Sequence, residues 1–245
     1  MRTLIVGYGY IGKHLANELA RVKPDIYDKY LKVDTRQHEQ YDIAWLCLPT
    51  PYDTCEIDEL LHAMKDQEAA IYVIKSTILP HRIEELRKLT GKRIVICPEF
   101  YGKSKDSLDF KQDYTILGGD KMDCEKVIDS IQFCYNGNHR FIMTSPTLAS
   151  LVKYMSNSYL LLKQTFCNEF YQIAQIFGVS YHELRELFIL DQRFTGVRTQ
   201  VDESTLHLNH HCLSKDVPAI AKEADNDFLH FLCSYHHIAK KGEVE

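Results

Sequence analysis

Along the first half of the chain, short apolar runs alternate with amphipathic stretches. Runs rich in β-branched residues at 3–6, 25–28, 43–48, 71–75, 93–97 and 114–117 predict strands. Helical periodicity at 11–21, 56–65, 82–89 and 124–132 predicts helices between most of them. Strands separated by helices imply right-handed crossovers and a buried parallel sheet. The connection from Asp28 to Tyr41 is short, so one expected helix is missing or reduced to a loop.

The pattern then changes. Residues 146–177 read as one long helix, with Ser145 as N-cap, Pro146 in the first turn and Gly178 at the C-terminal cap. Leu148, Leu151, Val152, Met155, Tyr159, Leu162, Phe166, Phe170 and Ile173 fall on one broad apolar side. A second helix is expected at 181–189, an irregular stretch at 191–211, a final helix from about 217 to 239, and a frayed tail after it. The fold class is therefore α/β. A Rossmann-type, doubly wound parallel sheet (1–144) is followed by a long helix and helical region (145–190) and a small, mostly helical C-terminal segment (191–245).

Composition narrows the function classes. With 45% hydrophobic and 26% charged residues among 245, the chain can bury a sizeable core. A net charge of −5 argues against a nucleic-acid partner. No apolar run approaches the roughly 20 residues that cross a bilayer, and the first twelve residues do not read as a signal peptide. Eight scattered cysteines without CxxC spacing suit reduced thiols and a cytoplasmic location.

The segment Gly7-Tyr8-Gly9-Tyr10-Ile11-Gly12 is GxGxxG between a strand and a helix. Gly7 suits a tight turn, Gly9 a close backbone approach to a pyrophosphate, and Gly12 close helix–sheet packing. The helix start, with Tyr10 and Ile11, offers N–H groups to phosphates. Asp28, at the end of the second strand, is placed to hold ribose hydroxyls, which favours NAD over NADP; Lys29 beside it weakens that preference.

Other motifs lie at strand ends, where open α/β sheets bind ligands. They are Cys47-Leu48-Pro49-Thr50-Pro51, Lys75-Ser76-Thr77 and Cys97-Pro98-Glu99-Phe100. The long helix carries Lys153, Asn157 and Cys167-Asn168-Glu169, and Cys212-Leu213-Ser214-Lys215-Asp216 follows it. In this order the segments resemble the UDP-glucose/GDP-mannose dehydrogenase family, over nearly the whole chain. The resemblance implies an NAD-binding Rossmann domain, a long helix that forms a homodimer, and no metal. It implies two successive oxidations of a nucleotide sugar's primary alcohol to a carboxylate. By that resemblance Cys212 is the nucleophile that captures the aldehyde stage. Lys153 and Asn157, one turn apart, stabilise the oxyanion, and Asp216 positions water. Thr77 and Glu99 handle the hydrolytic water, with Glu99 as general base. Lys29, Pro49, Thr50 and Thr77 join the glycine loop and Asp28 around the cofactor. Gln164 and Asn168 continue the polar stripe of Lys153 and Asn157, opposite the apolar side.

The sequence also departs from the family. Lys103 stands where the family has a second glutamate, Asn209-His210-His211 replaces a glycine-rich approach to the cysteine, and Ser214 replaces a proline. The family's second Rossmann domain has no counterpart here. The expectation is a shortened member whose substrate is smaller or is gripped by a partner chain, or one that has lost turnover. Simpler roles compete: Cys212 as an ordinary buried cysteine, Lys153 and Asn157 as a solvated stripe, Glu99 as a capping or surface acid, and Thr77 as a packing residue. A zinc site at His207, His210, His211 and Cys212 has suitable ligand types but no common spacing. Two rival functions remain: a single-step 3-hydroxyacid-type dehydrogenase, and an NAD-binding pseudoenzyme without turnover.

Overall fold

The computed structural model describes residues 1–51, 57–100, 112–201 and 212–241. Its described residues form two compact units, one ending at Lys153 and one beginning at Tyr154.

The first unit is built on eight strands: β1 (Thr3–Val6), β2 (Asp25–Asp28), β3 (Val33–Asp34), β4 (Gln40–Leu46), β5 (Glu68–Ile74), β6 (Ile94–Ile96), β7 (Tyr114–Gly118) and β8 (Arg140–Thr144). Their order in the sheet is β3-β2-β1-β4-β5-β6-β7-β8. The run from β2 to β6 is parallel, so the chain reverses direction across the sheet between β1 and β4. This confirms the doubly wound α/β class. Two junctions depart from the all-parallel expectation. The short connection after Asp28 holds β3, antiparallel to β2, in place of a helix. β7 meets β6 antiparallel at Ile96 and Gly118, then pairs in parallel with the unforeseen β8.

Helices α2 (Asp58–Asp66) and α3 (Pro80–Thr90) cover one face of this sheet, with Leu60, Met64, Ile83 and Leu86 packed on Leu4, Ala44, Leu46, Tyr72 and Ile74. Helices α1 (Tyr10–Glu18) and α4 (Lys121–Ile131) cover the other, with Leu15, Val127 and Ile131 packed among Ile5, Ile43, Trp45, Val73 and Val95. The central strands are buried on both faces, which explains their continuous apolar sequences.

Helix α5 (Pro146–Ile176) carries the chain into the second unit. Its expected caps form: the Leu148 N–H donates to Ser145 Oγ at 3.2 Å, and Gly178 adopts φ +64° while the Val179 N–H returns to the Ala174 carbonyl. The second unit then holds α6 (Tyr181–Phe188), α7 (Leu213–Ala224) and α8 (Asp227–Lys241). Leu161 of α5, Leu213 and Val217 of α7 and Leu232 of α8 form its core. The single final helix expected here is two helices. Asp225 turns left-handed at φ 46°, and Asn226 Oδ1 caps α8 by accepting from the Leu229 N–H. Helix α7 also begins before Val217, accommodating Pro218 inside its second turn.

The broad apolar side of α5 is its exposed side. Leu148, Leu151, Met155, Tyr159, Leu162, Phe166, Phe170 and Ile173 are exposed, Met155 by 78% and Tyr159 by 62%. Asn157, Gln164 and Asn168 are buried instead, with Tyr154, Leu161 and Cys167. The expected polar stripe is therefore an interior one.

Candidate functional site

The turn after β1 is constrained on two sides and open on the third. Gly7 has φ +91°, and a Cβ there would meet the Cys47 carbonyl oxygen at 2.5 Å. A Cβ on Gly12 would stand 1.9 Å from the Gly7 carbonyl oxygen. Both close approaches are possible only without a side chain. A Cβ on Gly9 meets nothing within 4 Å, so the loop's free space lies at the glycine assigned to the pyrophosphate. Gly9 is the N-cap residue of α1, Tyr10 is exposed and Ile11 half-buried in its first turn.

Asp28 ends β2 and braces this loop directly. Its carboxylate accepts the Tyr8 N–H at 2.7 Å on one oxygen and the Tyr30 and Leu31 N–H groups at 2.9 and 2.8 Å on the other. Burial pushes its pKa up, but the donors from Leu31, Tyr8 and Tyr30 outweigh that and hold it below the usual value. A carboxylate with lone pairs still to offer is thus fixed beside the glycine turn. Lys29 pairs with Glu59 of α2 at 3.0 Å and lies over the Tyr30 ring, and the bond to Glu59 raises its pKa. Its charge is answered within the fold. The residues present therefore fit a dinucleotide: open backbone N–H groups at a helix start and an ionised acid at the next strand end.

The carboxyl ends of β4 and β5 are laced together. Thr50 Oγ1 donates to the Thr77 carbonyl at 2.7 Å, and Ser76 Oγ donates to the Leu48 carbonyl at 2.5 Å. Thr50 is buried, Thr77 half-buried and Pro49 exposed. Ser150 of α5 donates to the Ile78 carbonyl, which anchors the start of the long helix to this edge.

Glu99 lies just past β6 and pairs with Lys75 at 2.9 Å, both side chains being under a tenth exposed. Its other oxygen accepts the Phe100 N–H at 2.8 Å. Burial pulls the Lys75 pKa down, but the Cys97 sulfur and the carboxylates of Glu99 and Glu18 overcome it, so the ammonium persists well above its usual range. Burial pushes the neighbouring thiols up, Cys47 to about 12. Glu99 thus sits in a buried ion pair. Lys75 had been read only as part of its motif. Charged residues at the ends of adjacent parallel strands were the available signal, once the strand order is known. Lys153 lies with its ammonium 5.3 Å from the centre of the Phe100 ring.

In the second unit, Asn157 Nδ2 donates to Asp216 Oδ2 at 2.6 Å, and both residues are at most 3% exposed. Lys215 pairs with the other Asp216 oxygen. Cys212 is exposed at the N-terminal end of α7, and its carbonyl accepts the Asp216 N–H at 2.9 Å. Two motifs 59 positions apart thus meet through one hydrogen bond. Lys103 and the histidines at 207, 210 and 211 lie outside the described residues. Among the described residues no group of His, Cys, Asp or Glu is arranged to hold a metal, and no helix is long and apolar enough to cross a membrane.

The described residues thus form a Rossmann-type α/β unit and a helical unit. Residues 147–237 match the model of the central domain of the UDP-glucose/GDP-mannose dehydrogenase family. Its relatives include a UDP-N-acetyl-D-mannosamine dehydrogenase of Methanocaldococcus jannaschii, 24% identical over 84% of this chain and 50% of that protein. They also include a UDP-glucose 6-dehydrogenase of Haloferax volcanii, 27% identical over 89% of this chain and 54% of that protein. A solved UDP-D-ManNAc dehydrogenase from Pyrococcus horikoshii shares the fold, with a TM-score of 0.77 and 21% identity over 98% of this chain and 68% of that one. The chain spans about half the length of the curated relatives named here. The family resemblance read from the motifs is borne out.

Proposed function

We propose that the chain binds NAD through Gly7, Gly9, Tyr10, Ile11, Gly12 and Asp28, and takes part in oxidising a nucleotide sugar's primary alcohol to the uronic acid. The observation that carries this reading is the buried Asn157–Asp216 hydrogen bond. It ties the long helix to the first turn after Cys212, joining the two motifs on which the family's chemistry depends. NAD, when bound, supplies the hydride acceptor for each of two oxidations.

The chain's residues do the rest. The Cys212 thiol adds to the aldehyde, its sulfur forming the C–S bond as the carbonyl oxygen takes a proton. The second oxidation leaves a thioester, which water cleaves to release the acid and restore the thiol. The N-terminal end of α7 favours the negative charge that develops beside that sulfur. Asn157 and Lys153 donate to the oxyanion. Asp216, held by Asn157 and Lys215, orients water. Thr77 and Glu99 complete the hydrolytic set, with the Lys75 ammonium holding the Glu99 carboxylate in place at 2.9 Å. Pro49 and Thr50 shape the cofactor's edge of the sheet, and the Lys29–Glu59 pair leaves the acid at Asp28 to choose NAD over NADP.

A homodimer through α5 accounts for its exposed apolar side, which is continuous from Leu148 to Ile176. Met155→Glu with Tyr159→Lys is expected to halve the mass seen by light scattering; an unchanged mass contradicts the interface.

Turnover is tested with UDP-glucose and NAD. The reading expects two NADH per sugar oxidised, a uronic acid product, and loss of at least about 10³-fold in rate for Cys212→Ser. One NADH per substrate, or full activity without the thiol, overturns it.

A further inference from the structure

Trp45, the chain's only tryptophan, is 1% exposed on β4, and its indole N–H is buried without an acceptor. Gln112, two residues before β7, has the complementary defect. Its Nε2 donates to the Tyr114 carbonyl at 2.7 Å, which fixes the orientation of the amide, and its Oε1 is buried without a donor. An orphaned buried donor or acceptor costs about 1–3 kcal/mol, so two of them call for a common explanation.

Both side chains line the same internal cavity, on the face of the sheet that carries α1, and its volume suits about one water molecule. Lys75 lines it as well. An ammonium has three N–H groups. Those of Lys75 serve Glu99 at 2.9 Å and Cys97 at 3.8 Å, and the third has no acceptor among the described residues. Glu18, Tyr135 and the hydrogen-bonded pair Thr115 and His139 add further polar groups to the wall.

The chemistry of the wall selects the occupant. An anion would face Glu18 and the nearby Glu99 carboxylate. A metal cation would face an ammonium and an indole N–H. A neutral molecule that both accepts and donates satisfies each orphan at once. We propose that this cavity is a binding site for one ordered water, which accepts from Trp45 Nε1 and Lys75 Nζ and donates to Gln112 Oε1. Its second hydrogen has the Glu18 carboxylate and the Tyr135 hydroxyl on the same wall as acceptors. The water joins β4, the end of β5 and the approach to β7, directly behind the Lys75–Glu99 pair. It depends on first-unit residues alone, so it stands or falls independently of the proposed dehydrogenase activity.

The sole indole makes the test clean. In the full ¹⁵N-labelled chain, the Trp45 indole proton is expected to show a dipolar cross peak to water, of opposite sign in laboratory-frame and rotating-frame experiments. Gln112→Leu removes the acceptor, and the peak should fall several-fold or vanish. Should that variant fail to fold, a crystal structure of the unaltered protein decides the matter: density within about 3.2 Å of both Trp45 Nε1 and Gln112 Oε1 supports the site. A peak with the same sign in both experiments, a peak unchanged in Gln112→Leu, or an empty cavity overturns it.

Discussion

Each unit buries one candidate carboxylate beside a lysine, and the two do so differently. Glu99 is enclosed with Lys75 at the end of the sheet, each under a tenth exposed, and two thiols held neutral by burial lie close by. Asp216 is as deeply buried, but Lys215 is only half-buried, and its second ligand is the neutral amide of Asn157. The first arrangement isolates a charge pair from water. The second keeps a carboxylate in place while leaving its cation in touch with solvent.

The sharpest way to break this contrast is to remove one partner from each. Lys75→Met takes the buried ammonium away from the buried Glu99 carboxylate and is expected to destabilise the protein by about 3–5 kcal/mol in urea unfolding. Adding Glu99→Leu should recover most of that loss, because an apolar pair of similar volume is tolerated. Asn157→Leu leaves Asp216 its Lys215 partner and should cost less, about 1–3 kcal/mol. Equal losses at the two sites would erase the distinction.

A second contrast lies inside the glycine loop. Gly12→Ala puts a methyl against the Gly7 carbonyl oxygen and should cost about 1–3 kcal/mol with a shifted helix start, whereas Gly9→Ala should stay within about 0.5 kcal/mol. Comparable melting curves for the two would contradict the loop geometry.

The smallest effect concerns Asp28. Its folded pKa lies below 3.8, so its contribution to stability is present above that value and is lost as the pH falls through the lowered one. Between about pH 5 and pH 2 the wild type should lose stability more steeply than Asp28→Asn, measured by urea midpoints. Parallel acid limbs would show that the three backbone donors leave the carboxyl unshifted.

What was legible in the sequence follows the same division. The glycine turn, Asp28 and most strands were readable because each is a local pattern with a local cause. β8 was not, because Arg140 to Thr144 sit half-exposed at the sheet's edge and lack both the apolar run of a core strand and a clean alternation. The break at Asp225 was missed because neither glycine nor proline marks it; Asn226 as a cap was the signal. Which side of α5 faces inward was not legible for a deeper reason. Periodicity shows that two sides differ, but which one faces inward depends on partners such as Asp216, 59 positions away. The Lys75–Glu99 pair likewise exists only through the neighbouring of β5 and β6.

The central claim is that the open side of the glycine loop receives a dinucleotide. Calorimetric titration of NAD into the wild type and Gly9→Val tests it most directly, since a Cβ there meets nothing within 4 Å. The account predicts one-site binding to the wild type, and at least about tenfold weaker binding to a variant that melts at the same temperature. Equal affinity in both, or no binding by the wild type, would contradict it.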